Sequence, residues 1–349
     1  MDLTAANTAI EALLQVAVTS VDRIGKSGNS KVFRVVCADG SRYAAKFYFQ
    51  RTMDGLDRLE VEFSSLRFLW ASGERCIAQP YAADPLSQIA VYEYVDGAGI
   101  DPESVSERDL EQVAGFALRL KHLAATENAM ALPRAAEAFS SFSGLHQSIL
   151  RRLKRLQAVG GEGASYSGLQ HFLSRAFEPA LDTMVERAKA EIGGVAWDVE
   201  LPHSKWTLSP SDFGFHNALR GADGKLVFLD FEYFGRDDPV KIIADFLLHP
   251  AMTLSESAGR SFTQRMLVCF SGDRGLPRRL TLSYPLFGLK WCMILLNEFI
   301  PKFIERREFA VEASTDREDV RMRQLVKSER MLNRITNELE DFSSWLKTA

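Results

Sequence analysis

Apolar residues in the first hundred positions fall in short runs and alternations, and beyond them the spacing becomes helical. Residues 8–18 carry an amphipathic pattern that predicts a short helix. Val32-Phe33-Arg34-Val35-Val36 and Tyr43-Ala44-Ala45-Lys46-Phe47-Tyr48 read as strands, and the turn residues Ala38-Asp39-Gly40-Ser41 between them make the pair a hairpin. Leu59, Phe63, Leu66, Leu69 and Trp70 then repeat at helical spacing across 56–70, with Gly73 as the stop. A further strand runs from Ile89 to Val95 and ends at Asp96-Gly97.

After this point one face of 106–126 gathers Leu110, Val113, Phe116, Ala117, Leu120 and Leu123, which predicts a helix. Helices are also expected over 136–157 and 166–192, parted by Gly160-Gly161-Glu162-Gly163. Short strands and loops fill 204–238, and the remainder is helical. The most apolar late stretch, Pro285 to Ile300, contains Lys290, Asn297 and Glu298 and is too short to span a bilayer, so it reads as a buried helix. The whole predicts an α+β chain in two parts, a strand-rich 1–96 and a mainly helical 97–349.

The 349 residues are 46% apolar and 25% charged with a net charge of −4, the profile of a soluble globular protein without the basic footprint of a nucleic-acid binder. No nucleic acid and no membrane is expected as a partner. The opening Met1-Asp2-Leu3 begins no cationic, apolar leader, and Cys37, Cys76, Cys269 and Cys292 show no metal or disulfide spacing, so a cytoplasmic protein with reduced cysteines is expected. Arg151-Arg152-Leu153-Lys154-Arg155 reads as a solvated helix face.

The candidate chemistry is phosphoryl transfer, which needs a phosphate cradle, a cation, metal ligands and a group that orients the attacking hydroxyl. In Ser209-Pro210-Ser211-Asp212-Phe213-Gly214-Phe215-His216-Asn217 an Asp is followed five residues later by an Asn, the spacing of a kinase catalytic loop. The Asp accepts the hydroxyl proton there and the Asn binds Mg²⁺. A turn at Gly221-Ala222-Asp223-Gly224 then returns a strand, Lys225 to Leu229, that ends in Asp230-Phe231-Glu232. The hairpin brings Asn217 and Asp230 to adjacent strand ends. Each half alone also fits an ordinary turn or strand end; together they point to a metal site.

The first part of the chain supplies the rest. Ile24-Gly25-Lys26-Ser27-Gly28-Asn29-Ser30 precedes a strand and suits a backbone cradle for phosphates. Lys46 lies in an apolar strand and needs a polar partner, for which Glu62 is the candidate and Glu60 the competitor. His216, His203 and His249-Pro250 read as structural.

These residues resemble the aminoglycoside phosphotransferase and choline kinase superfamily, the small-molecule relatives of protein kinases, from about Val21 to about His249. The resemblance implies a two-lobed protein-kinase-like fold with a small antiparallel-sheet N-lobe that binds nucleotide and a larger, mainly helical C-lobe that holds the catalytic loop and acceptor site. It implies ATP and Mg²⁺ as cofactors, a hinge across Val91 to Val95 whose Glu93, Tyr94 and Val95 meet the adenine, Asp212 as catalytic base, and Asn217 and Asp230 as metal ligands. With Gly25, Gly28, Asn29, Ser30, Lys46 and Glu62 these form the expected site. Two departures stand out: Pro210-Ser211 replaces the usual His-Gly before the base, and Gly214 stands where the family has His. Asp245 is expected as a buried anchor for the loop. The expected reaction is transfer to a hydroxyl of a small molecule, a sugar or other hydroxylated metabolite in the first place. The alternatives are a choline/ethanolamine-type kinase, an aminoglycoside phosphotransferase, or a nucleotide-binding pseudokinase.

Overall fold

The computed structural model describes residues 3–25, 30–49, 55–310 and 316–346. Contacts divide the chain into two compact units. The first takes in residues up to Ile100, Phe215–Phe234 and a short stretch from Glu305; the second takes in the rest.

The first unit is built on a five-stranded antiparallel sheet of order β1-β2-β3-β5-β4. Its strands are β1 (Val18–Ile24), β2 (Ser30–Cys37), β3 (Arg42–Tyr48), β4 (Pro80–Asp84) and β5 (Ile89–Glu93). Helix α1 (Leu3–Leu14) covers one face, where Ala6 and Ile10 join Phe33, Val35, Ala45, Phe47 and Ile89 in a buried cluster. Helix α2 (Arg58–Ala71) starts where Asp57 accepts the Glu60 N–H and ends before Gly73, whose φ of +90° a residue with a side chain would resist. The β2–β3 hairpin and α2 match the sequence reading. Edge strands β1 and β4 went unforeseen, because β1 is half exposed and carries Thr19, Ser20, Asp22 and Arg23, and β4 opens on a proline.

A second, three-stranded sheet completes this unit. It has the order β6 (Gly97–Gly99), β8 (Ala218–Gly221), β9 (Leu226–Phe228). Strand β9 docks back on the segment between α2 and β4, with Phe228 N–H donating to Cys76 O (2.8 Å) and Phe228 bridging Ile77 in parallel.

The second unit is helical: α3 (Glu107–Ala124), α4 (Glu127–Met130), α5 (Phe142–Gln157), α6 (Ala164–Phe172), α7 (Glu178–Ile192), α8 (Gly194–Asp198), α9 (Pro239–Leu248), α10 (Glu256–Cys269), α11 (Leu276–Leu295), the first turn of α12 (Pro301–Ala310), α13 (Arg317–Asn337) and α14 (Leu339–Trp345). A π turn over Leu173–Phe177 joins α6 to α7, so the single helix expected over 166–192 is nearly continuous. Helix α11 is the central element and packs on α5, α7, α9 and α13. Among the described residues no helix is long and apolar enough to cross a membrane.

The expected helix over 136–157 begins only at Phe142. The preceding segment is instead tied to a two-stranded ribbon of β7 (Thr207–Ser209) and β10 (Gly235–Asp237). Arg236 N–H donates to Pro133 O (2.9 Å), Ala135 N–H to Arg236 O (3.0 Å) and Phe139 N–H to the Asp237 carboxylate (2.8 Å). This approach is so close that a Cβ on Gly235 would lie 2.4 Å from Ala135 N. Gly235→Ala is therefore expected to destabilise the chain by about 1–3 kcal/mol or more, read as a lower denaturant midpoint at unchanged m-value.

Candidate active site

In the first unit, the pattern of α2 decides which carboxylate meets Lys46. Leu59, Glu62, Leu66 and Leu69 share the buried stripe, whereas Glu60 is exposed. Glu62 accepts from Lys46 Nζ at 2.6 Å. It also accepts from the Tyr48 hydroxyl (2.7 Å) and the Phe231 N–H (3.1 Å), so the helix, β3 and the segment after β9 meet on one carboxylate.

Lys46 Nζ also donates to Asp230 Oδ1 at 2.8 Å and lies 3.7 Å from Glu232 Oε2. The hairpin expected from the sequence makes this possible. Gly221 N–H donates to Lys225 O across its turn, and Leu229 N–H donates to Asn217 O (2.8 Å), which sets Asn217 and Asp230 at neighbouring strand ends. Asp230 itself has φ +64°, a left-handed conformation uncommon outside glycine, with Phe231 buried directly after it.

Arg58, at the start of α2, and Glu232 were not assigned from the sequence as parts of this cluster. Arg58 Nε lies 3.5 Å from Glu232 Oε1 and stacks on the Tyr233 ring at 5.4 Å. The periodicity of α2 marks Arg58 as near the buried stripe, but nothing local names its partner, 174 positions away in sequence. The electrostatics follow from burial. Although burial works against its charge, the carboxylates of Asp230, Glu62 and Glu232 hold the Lys46 ammonium well above its ordinary pKa. Burial and the neighbouring carboxylates push Glu232 up to about 7.

Glu62, Asp230 and Glu232 present ligand oxygens within 4.8 Å of one another. Among the described residues three carboxylates face two side-chain cations, Lys46 and Arg58, and an all-oxygen donor set with spare negative charge suits a hard divalent cation.

The other expected residues of this unit are placed as follows. Gly25 closes β1 with φ +71° and open space around its Cα, and Ser30 opens β2, buried. Gly28 and Asn29, within 26–29, lie outside the described residues. Glu93 ends β5 and exchanges hydrogen bonds with Gln79, its N–H donating to Gln79 O (2.8 Å) and its carboxylate accepting the Gln79 N–H (3.2 Å). Arg42 lies over the Tyr94 ring at 5.2 Å, and Val95 follows, half buried.

In the second unit, Asp212 follows β7. His249 Nε2 stands 3.6 Å from its Oδ1. The other ring nitrogen, Nδ1, accepts the Ala251 N–H (3.1 Å), which leaves the proton of a neutral ring on Nε2, toward the carboxylate. The ring packs edge-on against Trp291 at 4.7 Å, and Trp291 Nε1 donates to Asp245 Oδ1 (2.9 Å). His249 does end helix α9, as expected, but its ring also faces Asp212, a relation the local sequence did not show.

No protein-family model and no curated protein sequence matches the chain. Solved structures do. A spectinomycin phosphotransferase in complex with ADP and spectinomycin superposes with a TM-score of 0.63 at 12% identity, over 94% of this chain and 98% of that one. The choline kinase LicA from Streptococcus pneumoniae gives 0.60 at 14% identity, over 95% and 98%. A choline/ethanolamine kinase family protein from Mesorhizobium loti gives 0.59 at 15%, over 99% of each chain. At such identities the likeness speaks for the fold, and the fold is the one the sequence resemblance implied: a kinase-like fold, with an antiparallel five-stranded sheet and a mainly helical remainder, of the kind found in aminoglycoside phosphotransferases and choline kinases.

Proposed function

We propose that the protein is a small-molecule kinase that transfers the γ-phosphate of ATP, with Mg²⁺, to a hydroxyl of a hydroxylated metabolite, a sugar or polyol being favoured. The observation that carries this reading is Lys46, buried and held between Glu62 and Asp230. An ammonium so fixed is a cation aimed by the fold, and a solvated edge lysine needs no such arrangement.

In this reading residues 1–96 bind the nucleotide and 97–349 supply the base, the metal ligands and the acceptor site. The backbone around Gly25, Gly28, Asn29 and Ser30 covers the phosphates, Glu93 to Val95 meet the adenine, and Lys46, steadied by Glu62, contacts the α- and β-phosphates. Asn217 and Asp230 hold Mg²⁺, for which the nearby oxygen donors of Glu62 and Glu232 make a fitting environment. The metal, when bound, neutralises charge developing on the transferred group. Asp212 orients the acceptor hydroxyl and takes its proton, with His249 fixing the carboxylate from behind.

The preference for a neutral hydroxylated acceptor rests on where charge and aromatic surface are already used. A quaternary amine needs open aromatic walls and a carboxylate. Trp206 is covered by Arg134 (4.8 Å) and Arg236 (5.5 Å), Tyr233 by Arg58, and Phe234 is buried. Glu232 and Glu298 are buried and face Arg58 and Arg317. A polycationic aminoglycoside needs an acidic surface, yet Asp237 and Asp238 are fully buried, the first against Lys241 and backbone N–H groups, the second in a two-bond pair with Arg279.

The test is Mg-dependent phosphate transfer from ATP across sugars, polyols, choline, ethanolamine and aminoglycosides. Turnover with a sugar or polyol is the expected result. Turnover confined to amines would overturn the acceptor class. A silent panel with Mg-ATP still bound would support a nucleotide-binding pseudokinase.

A further inference from the structure

Ser211, the residue before Asp212, has φ +70°. For an L-residue other than glycine that conformation is disfavoured because Cβ crowds the following carbonyl oxygen, so something must hold it. Each polar atom of Ser211 is engaged inside the second unit. Its N–H donates to Ser209 Oγ (3.0 Å), its hydroxyl donates to Ala136 O (3.3 Å), and the same hydroxyl oxygen accepts from Lys241 Nζ at 2.7 Å. Lys241 Nζ also reaches the Ser211 carbonyl oxygen at 3.4 Å.

Lys241 lies in the first turn of α9, a helix buried along its whole length. It is placed by carboxylates one turn either side, Asp245 at 2.8 Å and Asp237 at 3.8 Å. Burial opposes its charge, but Asp245 and Asp237 raise it to about 12, so the ammonium is present throughout the neutral range. Asp245 in turn is anchored by the Trp291 indole. The chain Trp291–Asp245–Lys241–Ser211 thus runs from the central helix to the residue that carries Asp212, with every link at hydrogen-bond distance.

We infer that Lys241 is a positioning residue for the proposed base: its ammonium holds Ser211 in the left-handed conformation and so sets the direction in which Asp212 leaves the loop. The inference rests on Asp212 acting as base. Lys241 touches neither nucleotide nor acceptor in this account; it acts through Ser211. Glycine at 211 would reach the same conformation unaided, whereas serine reaches it with a clamp.

The experiment is Mg-ATP turnover, to the acceptor found in the panel or, without one, to water, for the wild type, Ser211→Ala, Ser211→Gly, Lys241→Met, the Lys241→Met/Ser211→Gly pair, and Asp212→Asn. Ser211→Ala keeps the left-handed penalty of an L-residue and the Lys241–Asp245 pair but loses the hydroxyl link to Lys241, and kcat is expected to fall about 10- to 100-fold with KM for ATP little changed, the scale on which small misplacements act. Ser211→Gly is expected to fall by less than about threefold, because glycine carries no left-handed penalty. Lys241→Met falls like Ser211→Ala, and adding Ser211→Gly recovers most of the loss, whereas a purely structural lysine would be insensitive to residue 211. If Lys241→Met does not fold, the two Ser211 variants decide alone. Wild-type kcat in Ser211→Ala, or equal losses in Ser211→Ala and Ser211→Gly, would overturn the inference. Unchanged turnover in Asp212→Asn would overturn the base assignment and this inference with it.

Discussion

Asp212→Asn is expected to lower turnover by about 10²–10⁴ while leaving Mg-ATP binding intact, the range seen when a general base is removed. The carboxamide has nearly the same shape, so the loop should persist, and the amide is too weak a base to accept the acceptor proton. The neighbouring His249 sharpens the expectation. Its Nε2 faces Asp212 Oδ1, and its Nδ1 is committed to the Ala251 N–H. With Asn in place, the ring can still meet a carbonyl oxygen, so orientation survives and only basicity is lost. Single-turnover measurements with the acceptor, beside equilibrium titration with Mg-ATP, separate the two effects. A variant that binds nucleotide normally and turns over at the wild-type rate would show that Asp212 is not the base.

What the sequence made legible follows a physical pattern. Glu62 could be chosen over Glu60 because it shares the stripe of Leu59, Leu66 and Leu69, and a lysine in an apolar strand needs a partner on the face that packs against it. The hairpin between Asn217 and Asp230 was readable from its turn residues and the apolar return strand. Local rules reach that far. The half-exposed edge strand β1 is not legible because its polar residues mask the alternation, and the loop over 136–141 is not because Asp237, which holds Phe139 N–H, lies 98 positions on. The same holds for Arg58 with Glu232 and for Ser211 with Lys241: each residue is unremarkable in its own neighbourhood, and only tertiary burial makes it part of a site. Glu232, Asp237 and Asp238 likewise carry no local mark of burial, yet all three are buried and engaged with cations. Carboxylates so placed are part of the framework and present no surface to a cationic ligand.

Lys46→Met should abolish measurable Mg-ATP affinity and also destabilise the fold. Its ammonium faces Glu62, Asp230 and Glu232, and removing it leaves Arg58 as the one described cation paired with that cluster. Breaking a buried pair by deleting one partner costs about 3–5 kcal/mol, because the other charge stays desolvated and uncompensated. The sign with pH follows from the raised pKa of Lys46: its contribution is fully present below the ordinary lysine value and is lost only as pH rises through the higher folded value, so across the neutral range the wild type keeps it. Stability and binding can be parted by a second substitution. Glu62→Gln removes one of the stranded charges, while the amide oxygen still accepts from Phe231 N–H and the amide group still meets the Tyr48 hydroxyl. The Lys46→Met/Glu62→Gln pair is therefore expected to recover roughly half or more of the lost stability, a coupling within the range for residues in direct contact, and none of the nucleotide affinity. Chemical denaturation of the four variants of this cycle, with Mg-ATP titration of each, gives both numbers. Recovery of binding along with stability would mean that Lys46 serves the fold alone, and the phosphate role assigned to it would have to pass to another cation.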